Sequence, residues 1–528
     1  MGLLSRAVAL VLVLSIPAWC QTDRYMVFFA DKTGTPHTIS QPSTFLSAKA
    51  IQRRAKALKL VDADDLPVVP AYVTQVRATG AKAFFTTRWM NGVLVEATAA
   101  QLTAIQALPF VASTSFVAPN HRLLGGRKAW TNQTAQTMGD TDAQLRMLGL
   151  DSMHADGYRG EGVMVAVLDS GFPGVETAAP FQSLRDDGRI KMTTDFVTNS
   201  GNVYQLDDHG TNILSIMAAE SNGFMGGAPK ADYLLFVTED VLSEYRVEEY
   251  NWLFAAEQAD SAGADIIQSS LGYNLFSDPS MDYTISQLDG ATSVISRTAG
   301  FARDRGIVVV VSAGNEGGEP WKLITPPADA TGILSVGAVT VTGVRATFSS
   351  TGPTADGRIK PDVVALGTGV SVVTPTGFVT TVSGTSAAAP LVASLAAGLI
   401  QVYPAMQPTA LIKSMEWSAS QFDAPDNQVG FGIPEYKAIR NYNDQPHLVA
   451  VYPNPVTATM WITIPPYMNP ERVTILDMQG KPVFSVTAPN ITWTNSTSSL
   501  DVSSLAAGLY LVWIDGGSAR YTFRFVKL

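Results

Sequence analysis

Two unbroken apolar runs of strand length, Val-Met-Val-Ala-Val-Leu at 163–168 and Ile-Val-Val-Val-Val at 307–311, constrain this chain more than any other feature. A strand with one face in water alternates apolar and polar residues. A run without alternation needs cover on both faces, as in a parallel sheet held between helices. Each run ends in a small-residue turn, Asp169-Ser170-Gly171 after the first and Ser312-Ala313-Gly314-Asn315 after the second. Open α/β sheets place their chemistry beyond the carboxyl ends of the strands, which makes Asp169 and Asn315 candidates for it. Further strands near Ala231, Asp265 and Ile333 alternate with helical stretches near Gly210, Glu244, Ile285, Ser386 and Thr409. That alternation predicts an α/β fold, a mainly parallel sheet with helices on both faces, over residues 141–443.

The segment Ser383-Gly384-Thr385-Ser386-Ala387-Ala388-Ala389-Pro390 puts a serine at the mouth of a helix after a glycine turn. Small neighbours leave its hydroxyl uncovered, and the helix end offers unpaired N–H groups and a positive dipole to a developing oxyanion. Upstream, Asp208-His209-Gly210-Thr211-Asn212 precedes an apolar run and reads as a helix start with His209 in its first turn. A serine hydroxyl is a weak nucleophile, so it needs a base within hydrogen-bond reach, and that base needs an orienting partner. Asp169, His209 and Ser386 supply the three in the chain order acid, histidine, serine.

Asp-Ser-Gly at 169–171, His-Gly-Thr at 209–211, Ala-Gly-Asn at 313–315 and Gly-Thr-Ser-Ala-Ala-Ala-Pro at 384–390 together resemble the motifs of the subtilisin-like serine peptidases. The resemblance implies peptide-bond hydrolysis through an acyl-enzyme, with Ser386 as nucleophile, His209 as general base and then acid, and Asp169 orienting the imidazole. It implies that Asn315 joins the Ser386 N–H in the oxyanion hole. Ser269, Ser270, Leu271 and Gly272, at the end of the strand that starts near Asp265, resemble the family's cleft-lining segment, and Gly314 is placed with them. Two positions depart from the common pattern: Asn212 stands where many members have a second histidine, and Ala387 where many have methionine. Neither removes a reacting atom. The competing reading is a surface binding protein on a subtilase scaffold, inactive or weakly active.

A chain of 528 residues is too long for one core and implies two or three domains. A net charge of −10 argues against a nucleic-acid partner. Residues 1–20 carry Arg6, an apolar core over 7–16 and Ala18-Trp19-Cys20 before Gln21, the pattern of a secretory signal. Export to the medium or the outer cell surface follows. A lipoprotein reading of Cys20 is disfavoured by Trp19 beside it and Pro17 upstream. The signal core is too short for a membrane span, and no later run is expected to form one. Cys20 is the only cysteine, so the mature chain has no disulfide. No histidine zinc pattern and no complete oxygen-ligand loop are present, and the chemistry requires no cofactor; structural calcium is an expectation from the family alone.

Residues 21–125 differ in character. Strands are expected at 24–30, 83–87, 92–97 and 111–117, a basic helix at 44–58 and a second helix at 99–107, followed by a polar linker over 119–140 containing Arg127-Lys128. A small α+β unit before a subtilisin-like domain resembles the family's inhibitory propeptide and makes the chain a zymogen; an unrelated N-terminal module is the other reading. Residues 447–528 alternate apolar positions with closely spaced turns and predict a small β-sandwich. Pro453-Asn454-Pro455, Gly480-Lys481, Ala507-Gly508-Leu509-Tyr510 and the basic end are similar to the sorting domains of the type IX secretion system. A carbohydrate- or protein-binding β-domain is the alternative. The expected partners are polypeptide substrates, the chain's own propeptide and the type IX machinery.

Overall fold

The computed structural model describes residues 21–119, 141–444, 449–464, 470–487, 490–493, 497–516 and 519–528. The expected signal segment and all of the expected linker beyond Pro119 and before Thr141 lie outside the described residues.

The N-terminal unit runs β1 (Asp23–Phe29), α1 (Ala48–Lys56), α2 (Pro70–Ala78), β2 (Lys82–Thr87), β3 (Gly92–Ala97), α3 (Ala99–Gln106) and β4 (Val111–Pro119). Its four strands form an antiparallel sheet in the order β2-β3-β1-β4. Alternation divides the sheet's faces. Val27, Phe29, Val93 and Val95 pack with Val73, Val76 and Ile105 of the unit's own helices, whereas Met26, Leu94 and Val117 join the core of the next domain. The basic helix is shorter than expected, because Pro42–Thr44 forms a separate 3-10 turn and Ser47 caps α1 by accepting the Ala50 N–H. Helix α2 was not anticipated; it opens on Pro70 and buries only Val73 and Val76, too sparse a stripe to read as periodic.

The central domain begins with α4 (Asp142–Met147) and α5 (Leu150–Ala155), followed by β5 (Met164–Asp169), α6 (Gln182–Asp186), β6 (Ile190–Asp195), α7 (His209–Ala218), a minor hairpin of β7 (Glu220–Ser221) and β8 (Phe224–Met225), and β9 (Asp232–Val237). It continues with α8 (Val247–Ala262), β10 (Ile266–Ser269), α9 (Val294–Asp304), β11 (Val308–Ser312), β12 (Leu334–Val339), β13 (Val363–Leu366), a hairpin of β14 (Val370–Val373) and β15 (Val379–Val382), and helices α10 (Thr385–Val402), α11 (Pro408–Trp417) and α12 (Tyr436–Asp444). Seven parallel strands pair in the order β13-β12-β11-β10-β5-β9-β6. The unbroken apolar runs are explained by cover on both faces. Val165, Val167, Val308 and Val310 face one core, and Ala166, Leu168, Val309 and Val311 face the other.

Two strands extend the sheet beyond expectation. β6 is an edge strand carrying Lys191, Thr193 and Thr194, and β13 has four residues just beyond Pro361, so neither shows a long apolar run. The helix expected near Ile285 is a single 3-10 turn, Ile285–Gln287; the helix proper, α9, starts after Ser293, whose side chain caps it.

From β5 the chain moves out to β6, returns to β9 between them, then crosses to the far side of β5 and adds β10 to β13 in turn. The order therefore reverses between β5 and β10, where open α/β sheets form their crevice. Register pairs Leu168 with Ser269, so Asp169 and Ser270 leave neighbouring strands side by side. Asn315 follows the end of β11, the next strand along. Helix α10 packs over β10 to β13 and against α7. Contrary to expectation, one later run does have the length and composition of a membrane span: α10, with mean hydropathy 1.5. It is 83% buried, and its apolar character belongs to the core.

The C-terminal domain comprises β16 (Ala450–Tyr452), β17 (Thr459–Thr463), β18 (Pro470–Leu476), β19 (Pro482–Thr487), β20 (Thr497–Asp501), β21 (Gly508–Gly516) and β22 (Ala519–Lys527). Two antiparallel sheets, β16-β17-β20 and β19-β18-β21-β22, share a core of alternating residues that includes Met460, Ile462, Val473, Ile475, Val512, Ile514 and Phe525.

Candidate active site

Asp169, fully buried at the end of β5, lies 2.7 Å through Oδ1 from Nδ1 of His209, the first residue of α7. Gly210 permits that approach. A Cβ there would come within 2.3 Å of the Gly171 carbonyl and 3.0 Å of Asp169 Cβ, so any side chain would push the helix start away. The Ser170 N–H donates to the same carboxylate oxygen at 2.7 Å, and the His209 N–H donates to Asp207 Oδ1 at 3.0 Å. A carboxylate at Nδ1 keeps the proton on that nitrogen and leaves Nε2 as the basic site of a neutral ring. Burial disfavours the imidazolium, but the charge and hydrogen bond of Asp169, with Asp207 and Asp208 beyond, outweigh it and raise the His209 pKa above its ordinary value.

Ser386 is the second residue of α10 and is 5% exposed. Gly384 before it has extended backbone, and a Cβ there would lie 2.7 Å from Ser386 Oγ and 3.7 Å from Asn315 Nδ2. Its missing side chain keeps open the space between the hydroxyl and the amide. Asn315 Oδ1 accepts from the Thr385 N–H at 2.9 Å and from Thr385 Oγ1 at 3.0 Å. With the carbonyl end of the amide held there, the NH₂ end is turned toward Ser386. Thr385 is therefore a positioning residue that the sequence reading did not single out, although it stands inside the Gly-Thr-Ser motif.

A cleft of about 240 Å³ opens beside Asn315. Of the residues placed there by the resemblance, Ser270, Leu271, Gly272 and Gly314 line it, whereas Ser269 does not; its Oγ accepts from Trp252 Nε1 at 3.0 Å. The Ser270 side chain is also engaged within the fold, accepting from Gln268 Nε2 at 2.7 Å. Thr325 Oγ1 forms the floor, 2.1 Å from where a Cβ on Gly272 would stand. Asn212 and Ala387, the two departures, are both buried. Among the described residues no group of three or more His, Cys, Asp or Glu side chains is arranged to hold a metal ion, so no calcium site is assigned.

The N-terminal unit docks on α8. Glu257 accepts the N–H groups of Arg88 at 2.9 Å and Trp89 at 3.1 Å. Asp260, fully buried, pairs with Arg53, Arg54 and Arg88, and Arg54 and Arg305 both pair with Asp65. Strand β4 ends at Pro119, which lines a chamber adjoining the cleft.

A seven-stranded parallel sheet with a buried Asp–His pair at its switch point and a serine on the first turn of the covering helix defines a subtilisin-like α/β fold. Residues 160–432 match the model of the subtilase family, peptidase S8, and the chain belongs to that family. Residues 24–136 match the peptidase S8 propeptide domain of Bacteroidota, and residues 450–527 match a secretion system C-terminal sorting domain. Subtilisin E of Bacillus subtilis (strain 168) is 32% identical over 258 residues, 48% of this chain and 59% of that protein. Subtilisin of Bacillus pumilus is 32% identical over the same length, covering 82% of it. The chain thus spans less than two thirds of the first of these relatives. A crystal structure of MycP1 from Mycobacterium smegmatis is similar with a TM-score of 0.47 and 21% identity, over 59% of this chain and 88% of that one.

Proposed function

We propose that the protein is an exported serine endopeptidase made as a zymogen. The observation that carries the reading is the 2.7 Å Asp169–His209 contact with Ser386 and Asn315 across the gap left by Gly384. In this reading His209 Nε2 takes the Ser386 proton as Oγ attacks the scissile carbonyl, and Asp169 stabilises the imidazolium that forms. The oxyanion receives Asn315 Nδ2 and the Ser386 N–H at the start of α10. His209 then returns the proton to the leaving amine, and water completes the cycle through the same base. An extended substrate pairs along the 270–272 segment by strand addition.

The N-terminal unit is read as the chain's own propeptide. Its buried ion pairs to α8 and the exit of β4 beside the cleft support an inhibitory placement. The sorting domain addresses the chain to secretion or the cell surface. A fluorophosphonate probe tests the chemistry: covalent labelling of the matured protein, absent in Ser386→Ala, is expected. Failure of the matured, folded protein to label would favour an inert scaffold.

A further inference from the structure

We propose that Thr325 closes the cleft to large side chains beside the scissile bond, so that the carbonyl Ser386 attacks belongs to a glycine, alanine or serine residue. The proposal rests on the peptidase reading above and adds the substrate class. In that reading the attacked carbon faces Ser386 Oγ, its oxygen points to Asn315 Nδ2, and the substrate strand runs along residues 270–272. The side chain next to the carbonyl then enters beside Asn315, between the segments that lead out of β10 and β11. Gly272 and Gly314 wall that entrance, each three residues past the last paired positions of the two strands, Ser269 and Val311.

Bare backbone on both walls would open a deep slot if nothing else filled it. Thr325 fills it. A Cβ on Gly272 would fall 2.1 Å from Thr325 Oγ1 and 3.0 Å from Thr325 Cβ, and a Cβ on Gly314 would fall 3.0 Å from the same Oγ1. One hydroxyl thus reaches the Cβ level of both walls. A Cβ on Gly314 would also meet Glu316 Oε2 at 2.5 Å and Ser350 Oγ at 2.9 Å. The room given up by the two glycines is taken by the protein's own side chains. The cleft of about 240 Å³ is lined as well by Ser170, Glu239 and Glu248, from beyond β5 and β9, so its volume is shared among several substrate residues.

Thr325 is also held in place. It is 1% exposed, and its N–H donates to the Ala313 carbonyl at 3.1 Å, next to Gly314. On the other side the Tyr273 N–H, next to Gly272, donates to the Pro326 carbonyl at 2.9 Å. The Ala328 N–H donates to the Thr325 carbonyl at 2.8 Å and closes the turn. A backbone tied to both walls does not retreat. Two heavy atoms branch from the threonine Cβ, so rotation about χ1 mostly exchanges hydroxyl for methyl. Alanine and serine end at Cβ or one atom past it, whereas leucine and phenylalanine reach farther and would have to displace packed atoms.

The test is a cleavage profile of the matured enzyme on peptides of one sequence that differ only at the residue before the scissile bond: glycine, alanine, serine, leucine and phenylalanine. A methylene more or less in a pocket changes kcat/KM roughly 10- to 200-fold, so alanine should exceed leucine and phenylalanine by at least about tenfold. Thr325→Gly should raise the phenylalanine-to-alanine ratio at least about tenfold, Thr325→Ala should raise it less, and Thr325→Ser should keep the small-residue preference. A ratio compares two substrates on one enzyme, so a partly misfolded variant does not distort it. Three results would overturn the proposal and leave the peptidase reading standing: preference of the parent for leucine or phenylalanine, an unchanged ratio in active Thr325→Gly and Thr325→Ala enzymes, or cleavage of none of these peptides by an enzyme that labels with a fluorophosphonate. No cleavage together with no labelling would sink both.

Discussion

Ser270 Oγ donates a 2.9 Å hydrogen bond to the main-chain carbonyl of Ser386, in place of a bond that helix α10 cannot make. In a regular helix that carbonyl accepts from the N–H four residues on. Here the fourth residue is Pro390, which has no N–H. The proline inside the helix and the serine at the end of β10 therefore form one device. It ties the backbone of the candidate nucleophile to the strand next to the one that carries Asp169. Ser270→Ala leaves a buried carbonyl without a donor and should destabilise the protein by about 1–3 kcal/mol. Pro390→Ala in that background supplies an N–H and should recover part of the loss, giving non-additive effects. Urea unfolding in a Ser386→Ala background, which removes self-digestion, would measure both; additive losses would mean the two residues act separately.

Thr385 gives a second prediction, on rate. Asn315→Ala should lower kcat roughly 10²- to 10³-fold with little change in KM, because in the proposed reaction the amide acts on the transition-state oxyanion. Thr385→Val keeps the amide and removes one of the two bonds that orient it, so its kcat loss should be smaller and of the same kind. Steady-state kinetics on one peptide substrate decides; a rise in KM alone in either variant would assign the residue to substrate binding instead.

The raised pKa of His209 sets opposite pH trends for activity and stability. General-base catalysis needs the neutral ring, so kcat/KM should rise with pH to a midpoint above the ordinary histidine value of about 6.5. Stability follows the charged ring. The contribution of His209 is fully present below the unfolded pKa and disappears as pH climbs through the folded one. Asp169→Asn removes the main stabilising charge and should move the activity midpoint down while reducing kcat. A flat pH profile between 5 and 9 would argue against a histidine base.

What could be read from sequence was what is local. Val163–Leu168 and Ile307–Val311 are parallel strands because no water-facing residue interrupts them, and Asp169, His209, Asn315 and Ser386 stand at element ends that motif spacing marks. Relations set by the sheet order were not legible. Glu239 and Glu248 follow β9, more than 60 residues before Asn315, and meet the same cleft only because the strand order folds back at β5. Arg53 and Arg54 read only as part of a basic helix, and both are buried against Asp260, about 200 residues away in sequence. β6 and β13 were missed for a simpler reason: an edge strand and a four-residue strand lack the long apolar pattern.

The Asp260 network predicts how the N-terminal unit is held. Asp260→Asn in the mature enzyme would leave Arg53, Arg54 and Arg88 buried without their shared carboxylate. Breaking a buried pair on one side costs about 3–5 kcal/mol, so inhibition by a separately made 21–119 fragment should weaken on the order of 10²- to 10³-fold. The Arg neighbours hold Asp260 and Asp65 below the usual carboxylate range despite burial, Asp65 at about 2. The attachment they provide is thus present above the ordinary carboxylate pKa and is lost as pH falls toward their folded values. Inhibition constants for the two enzymes give the answer, and a change under tenfold would show that the sheet contacts, not the ion pairs, carry the binding.

Removing residues 449–528 tests the independence of the C-terminal domain. Its core, built on residues such as Val473, Ile475, Val512 and Phe525, is separate from the two cores of the central domain. Among the described residues its strands pair only with one another, and every candidate catalytic residue precedes it. The truncated enzyme should therefore mature, label with a fluorophosphonate and cleave peptides at the full-length rate in vitro. Delivery should fail, since residues 450–527 are the part that matches a secretion sorting domain. Fractionation of the native host would then find the truncated chain retained inside the envelope while the full chain reaches the surface or the medium. Normal delivery of the truncated chain would place the address elsewhere, and loss of folded, active enzyme would make the sandwich a structural part of the peptidase.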